Sequence, residues 1–398
     1  METVESHLES HLDLLETLVR IPSHVTDPGG TDRVAEALLP DLVGMGFSVE
    51  SIPQSPLPPE MRWIEAVMIP GLSQDQVGAT HRVFRDGIGP ESILLLGDLD
   101  TAFPYGESLA FPVSREGSRM FGPGVADMKG GLVTMIAALQ ALFDMEIPTP
   151  PIEVVLSGDE QAGSLGSRTV IETVAQKCAW ALCVECARQG GKLMAERGHI
   201  GIGELVAEGH EAHAGSAYEQ GVNAIDALAR VIPPINSLSA PERGVLVTVT
   251  MIEGGRRRSV IPGEARATLD IRSSSRRDWD QTVQELLATV GEHGLGRVTA
   301  RTYAHRPGVA WTADTDRLLA IISDVAEPIG VGIEALRSSA AGSSAFASGC
   351  VVMDGMGPIG TGLMTRRESI EIDSIGERAA ILAGTILALG ERGRQGGL

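Results

Sequence analysis

The stretch Ser92-Ile93-Leu94-Leu95-Leu96-Gly97-Asp98-Leu99-Asp100-Thr101 decides the reading of the chain. Its first half is a short apolar run bounded by turn formers, the mark of a buried strand. Its second half is a loop with two aspartates. The pattern returns twice. Ile152–Leu156 enters Ser157-Gly158-Asp159-Glu160-Gln161-Ala162-Gly163-Ser164, and Ala179–Val184 enters Glu185-Cys186. Between them, Gly122-Pro123-Gly124-Val125-Ala126-Asp127-Met128-Lys129-Gly130-Gly131 leads into a Gly- and Ala-rich helix over Met128–Phe143. Helical spacing also marks Met1–Pro22, Asp32–Met45 (with Pro40 as a kink), Asp314–Gly330 and Ile375–Leu389. Strands alternating with helices predict an α/β sheet with helices on both faces. Ser73–Pro90, rich in Gly, Gln and Asp, reads as a surface loop, and the Gly-rich tail after Glu391 as a frayed end.

The texture changes near Arg197. Gly201–Ala207, Gly244–Ile252 and Glu264–Ile271 alternate as strands, and Gly221–Val231 and Asp278–His293 read as helices. The expected fold class is therefore α/β with two domains: a mixed-sheet domain from residues 1–196 and 309–398, and an inserted α+β domain over 197–308.

The chain has 398 residues, 43% of them hydrophobic and 21% charged, which excludes disorder over most of its length. The longest apolar stretches, such as Ala379–Leu389, fall short of the roughly 18 residues of a membrane span. A net charge of −20 opposes nucleic acid and anionic lipid as partners, and 4% aromatic residues argue against a base- or sugar-stacking surface. Acidic residues stand where a signal peptide carries basic ones (Glu2, Glu5, Glu9, Asp13), so a cytoplasmic location is expected. Four cysteines do not make a disulfide framework. Cys183 and Cys186 bracket Glu185 and are read as packing residues, with Cys186 as a nucleophile the alternative. Gly122-Pro123-Gly124 lacks the spacing and lysine of a phosphate loop.

In an open α/β sheet, ligands bind at the carboxyl ends of the strands. Acidic groups converging there repel one another unless a cation or protons intervene. Four such loops point to a metal site or an acid/base site rather than to four unrelated turn caps.

These loops, in this order, resemble the zinc aminoacylase and carboxypeptidase family. It includes acetylornithine deacetylase, succinyl-diaminopimelate desuccinylase and glutamate carboxypeptidases. The similarity continues through Gly209-His210-Glu211-Ala212-His213-Ala214-Gly215, Gly221-Val222-Asn223-Ala224, Ser259-Val260-Ile261-Pro262, Asp270-Ile271-Arg272 and Gly342-Ser343-Ser344-Ala345. The resemblance implies a catalytic domain with a lid and dimerisation domain, two zinc ions bridged by a carboxylate, and hydrolysis of acyl or peptide bonds. It implies the bridging carboxylate at Asp127, the general base at Glu160 and a further acidic ligand at Glu185. It places Asp100 where an aspartate orients the first zinc histidine, and His213 where a histidine reaches the substrate carbonyl across a dimer. It places Arg272 and Arg306 at a substrate carboxylate, and Ser259 near the substrate carbonyl.

Three ligand positions depart from the family. Asp98 and Met364 stand where histidines are expected, and Gln161 where a glutamate is. A neutral amide and a thioether are poor ligands for a borderline dication, so dinuclear zinc is not expected. Asp98, Asp127 and Glu185 remain as ligands for one divalent metal, the alternative being no tightly bound ion.

The expected function is an enzyme acting at the amide or acyl bond of an N-acyl amino acid or peptide-like small molecule that carries a carboxylate, working as a homodimer. The alternatives are metal-independent, non-hydrolytic chemistry (acyl transfer, amide formation, cyclisation or elimination) and a ligand-binding pseudoenzyme. Retention of Glu160, His213, Arg272 and Arg306 favours catalysis.

Overall fold

A computed structural model describes residues 1–395 of the chain. Its contacts divide the chain into two units. The first comprises Met1–Ala195, Trp311–Arg337 and the chain from Gly342 onward; the second comprises Glu196–Ala310 and Ser338–Ala341.

The first unit is built on an eight-stranded mixed sheet. Its strand order is Ser48–Ile52, Thr80–Arg85, Ile152–Ser157, Ser92–Asp98, Cys178–Cys183, Val351–Asp354, Leu193–Arg197 and Ala335–Ser338. The four strands beginning at Ile152, Ser92, Cys178 and Val351 are mutually parallel, so their carboxyl ends share one edge. They are apolar because both faces of a parallel sheet are covered: Ile93, Leu94, Leu95, Val154, Ala181 and Leu182 are all buried. The helix Gly130–Asp144 lies in the core and packs on the helix Asp373–Gln395. A Cβ at Gly131 would collide with the Val184 carbonyl, so glycine is what lets this helix approach the strand end that carries Glu185.

The stretch Val125–Asp144 is long and apolar enough to cross a membrane, a length that the sequence reading had not credited to it; it is buried as a core helix. A second correction falls within Ser73–Pro90. Thr80–Arg85 is an interior strand of the large sheet, antiparallel to both its neighbours. Its alternation is masked because Thr80 and His81 are buried polar residues. The helix Pro28–Gly44 continues through Pro40. The C-terminal helix runs to Gln395, and the rest of the Gly-rich tail, 396–398, lies outside the described residues.

The second unit is a four-stranded antiparallel sheet ordered Leu246–Gly254, Glu264–Ser273, His199–Glu208 and Val298–Arg306. The helices Ala224–Asn236 and Arg276–His293 cover one face through Leu205, Leu228, Ile271, Trp279 and Leu286. Asn223 starts the first of these by accepting the amides of Ile225 and Asp226. A separate two-residue ladder pairs Ala212–His213 with Val260–Ile261.

Candidate active site

Three adjacent parallel strands end in acidic residues. The strand Ser92–Asp98 delivers Asp98 and then Asp100, Ile152–Ser157 delivers Asp159 and Glu160, and Cys178–Cys183 delivers Glu185. The carboxylates of Asp98, Glu160 and Glu185 converge, with one oxygen from each lying within 4.8 Å of the others, and all three residues are buried. Ser157 donates to Asp98 Oδ1, and the Ser343 hydroxyl to Asp98 Oδ2 at 3.3 Å. Burial, then the negative charges of Glu160 and Glu185, push the Asp98 carboxyl well above the usual range. Such a site demands a proton or a cation.

Asp127 stands beside this cluster, outside the three-carboxylate group. It belongs to a turn, Val125–Lys129, whose backbone departs from helix at Asp127 and Met128 before the core helix begins. Burial first, then Glu160 and Glu368, push its carboxyl up to about 8. Sequence reasoning thus groups Asp127 with Asp98 and Glu185, whereas the fold brings Glu160 to them.

Asp100 has no imidazole to orient. Its Oδ1 accepts the amide of Glu160 at 3.0 Å and its Oδ2 that of Gln161 at 2.8 Å. Burial, then Glu160, raise its carboxyl well above the ordinary value. Asp159 turns away into the loop and accepts the Gln74 side-chain amide and the Gly166 amide, each at 2.8 Å.

Gln161 and Met364, the two positions with poor ligand types, stand apart from the buried cluster in exposure. Gln161 is half-buried and Met364 is 56% exposed, with the latter in a left-handed backbone conformation. What its loop contributes instead is Glu368, a residue the family pattern did not single out. Glu368 is fully buried; its Oε1 accepts the amides of Ala126 (2.9 Å) and Asp127 (3.0 Å), and its Oε2 that of Met364 (3.1 Å). Burial raises its carboxyl to about 7. The nearby Lys129, also buried, donates to the carbonyls of Leu18 (2.9 Å) and Ile21 (2.7 Å), and burial lowers its ammonium to about 7.

In the second unit, the His213 ring Nδ1 accepts the amides of Gly215 and Ser216, both at 3.1 Å. In the neutral ring the proton is therefore on Nε2, and the residue is exposed. The backbone carbonyl of Ser259 accepts the Ala214 amide at 2.9 Å, which ties the two loops together. Arg306 is buried. Arg272 is engaged by Asp270, Nε to Oδ1 at 2.8 Å and Nη2 to Oδ2 at 3.3 Å. Cys183 and Cys186 are fully buried; burial first, then neighbouring carboxylates (Asp354 and Glu185 at Cys183, Glu185 at Cys186), push both thiols far up and leave them poor nucleophiles.

The donor set Asp98, Glu160 and Glu185 is all oxygen, which suits one hard divalent cation; among the described residues no histidine or cysteine joins such a group. That set does not fit a dinuclear zinc centre.

Parallel strands with acidic carboxyl ends and a helix-backed antiparallel unit are the architecture that the family resemblance implies. The chain belongs to peptidase family M20/M25/M40, whose model matches residues 94–388. Among curated relatives, carboxypeptidase G2 of Pseudomonas sp. (strain RS-16) is 26% identical over 387 residues, covering 94% of this chain and 88% of the relative. Acetylornithine deacetylase of Proteus mirabilis (strain HI4320) is 26% identical over 338 residues, covering 79% and 81%. The M20 metallo-carboxypeptidase Sso-CP2 of Sulfolobus solfataricus shares the fold with a TM-score of 0.75 at 14% identity, over 95% of this chain and 99% of its own.

Proposed function

We propose that this chain hydrolyses the amide bond of an N-acyl amino acid or peptide-like small molecule bearing a carboxylate, with a site altered from dinuclear zinc. The observation that carries this reading is the buried convergence of Asp98, Glu160 and Glu185 at adjoining strand ends. It keeps a carboxylate base at the position where family resemblance expects one. The names of the relatives, a carboxypeptidase and a deacetylase, agree with amide cleavage.

Glu160 takes a proton from water as the oxygen adds to the substrate carbonyl carbon. It returns that proton to the departing nitrogen as the C–N bond breaks, giving a carboxylic acid and an amine, which leave as carboxylate and ammonium. His213, with its proton on Nε2, donates to the developing oxyanion. Arg306, with Arg272 as the second candidate, holds the substrate carboxylate, and Ser259 lies on the loop beside His213. Asp98 and Glu185, with Asp127 adjoining, would hold one hard divalent ion beside Glu160; when bound, such an ion would lower the pKa of a coordinated water. The working form is a homodimer built through the second unit.

The test is a panel of N-acetyl, N-succinyl and N-aroyl amino acids assayed for released amine. Glu160→Gln should lower kcat on the best substrate by roughly 10²–10⁴-fold with binding nearly intact. Full activity in that variant removes the base assignment. A wild-type protein that cleaves no amide in the panel removes the hydrolase reading.

A further inference from the structure

We infer that Asp100 and Glu368 are positioning residues: each grips the main chain of a loop that carries an acidic site residue, Asp100 at Glu160 and Glu368 at Asp127. A buried carboxylate is costly unless its oxygens receive hydrogen bonds. Asp100 is 1% exposed and Glu368 0%, and among the described residues neither forms an ion pair with a lysine or arginine. Their oxygens are directed instead at backbone N–H groups.

Asp100 takes consecutive amides on separate oxygens, Glu160 on Oδ1 and Gln161 on Oδ2. Two contacts to successive amides fix the peptide plane between them, and so the direction in which the Glu160 side chain leaves the loop. Glu368 joins two loops distant in sequence. One oxygen holds Ala126 and Asp127 at the start of the turn leading into the core helix; the other holds Met364. The Met364 side chain is exposed, so its backbone amide is the part of that residue in use. The loops bearing Glu160 and Asp127 are thereby organised by the protein's own carboxylates, whatever ion the cluster takes.

The consequence for turnover rests on the hydrolase reading above; the grip on the backbone does not, and it is tested separately. Hydrogen–deuterium exchange is followed on the full chain and on Asp100→Asn and Glu368→Gln. Asp100→Asn should speed exchange at the amides of residues 160 and 161 by roughly ten- to hundredfold, leaving those of residues 126, 127 and 364 unchanged; Glu368→Gln should do the reverse. If either variant speeds both sets alike, or neither, the inference is overturned. Should a variant not fold, the wild-type protein decides. These five amides must exchange at least roughly tenfold slower than in an open chain, and open-chain rates there overturn the inference. On a substrate the protein hydrolyses, Asp100→Asn should lower kcat and leave KM within about twofold, whereas a change confined to KM contradicts a role exerted through Glu160.

Discussion

The guanidinium of Arg272 is held by the carboxylate of Asp270, Nε to Oδ1 at 2.8 Å, two residues back on the same strand. A substrate carboxylate would have to compete with a partner already in place. Arg306 is buried at the end of the edge strand Val298–Arg306, one strand beyond His199–Glu208, and burial strengthens a charge-assisted bond there. Arg306→Ala should therefore raise KM by roughly ten- to hundredfold, and Arg272→Ala by only a few-fold, with kcat little changed in both. Equal KM values for the two variants in steady-state assays would remove the distinction.

The all-oxygen cluster sets the expected metal content. Elemental analysis of protein purified without chelator should find at most one divalent ion per chain, and added Mg²⁺, Mn²⁺ or Ca²⁺ should raise thermal stability more than Zn²⁺ does. Near two zinc ions per chain would overturn the ligand reading.

Stability should depend on pH in a definite direction. In the fold the Asp127 carboxyl is raised to about 8, so between its unfolded value near 4 and pH 8 the folded state binds more protons than the unfolded one. Its contribution is complete below the unfolded value and is lost as pH rises through about 8. Glu368, raised to about 7, acts in the same sense over a narrower window. Lys129 opposes them above pH 7, and the lowered values of His11 and His81 oppose them near pH 6.5. The test is therefore a difference: the melting temperature of metal-free Asp127→Asn should fall less steeply than that of the wild type between pH 5 and 8. Parallel curves would contradict the raised carboxyl.

The strand Leu246–Gly254 is an edge of the second unit's sheet and exposes Met251 (51%) and Ile252 (58%). An open apolar edge invites strand pairing with a second copy. Sedimentation should find a dimer at micromolar concentration, and Ile252→Lys should shift it to monomer. A monomeric wild type would remove both the dimer and a role for His213 in a neighbouring site.

Much of this was legible beforehand. Apolar runs ending in Asp98, Glu160 and Glu185 mark the three site strands because the covered faces of a parallel sheet leave little choice of residue. The alternating strands and amphipathic helices between residues 199 and 306 announce a different kind of unit. Thr80–Arg85 was missed because buried Thr80 and His81 disguise a strand as a polar loop. Val125–Asp144 was undervalued because its glycines, alanines and one lysine interrupt the apolar run, while burial covers the whole segment.

The sequence by itself determined the residue types at the site: carboxylates at the strand ends, and Asp98, Gln161 and Met364 where the family resemblance leads one to expect metal ligands. It could do so because chemistry at a position travels with the residue. Only the tertiary structure decided which carboxylates meet. Glu160 rather than Asp127 completes the cluster with Asp98 and Glu185, Asp100 and Glu368 face backbone amides, and Arg272 is occupied by Asp270. The physical reason is distance along the chain. Glu368 reaches Asp127 across 241 residues, and a contact of that kind depends on sheet register and loop conformation fixed by the whole core.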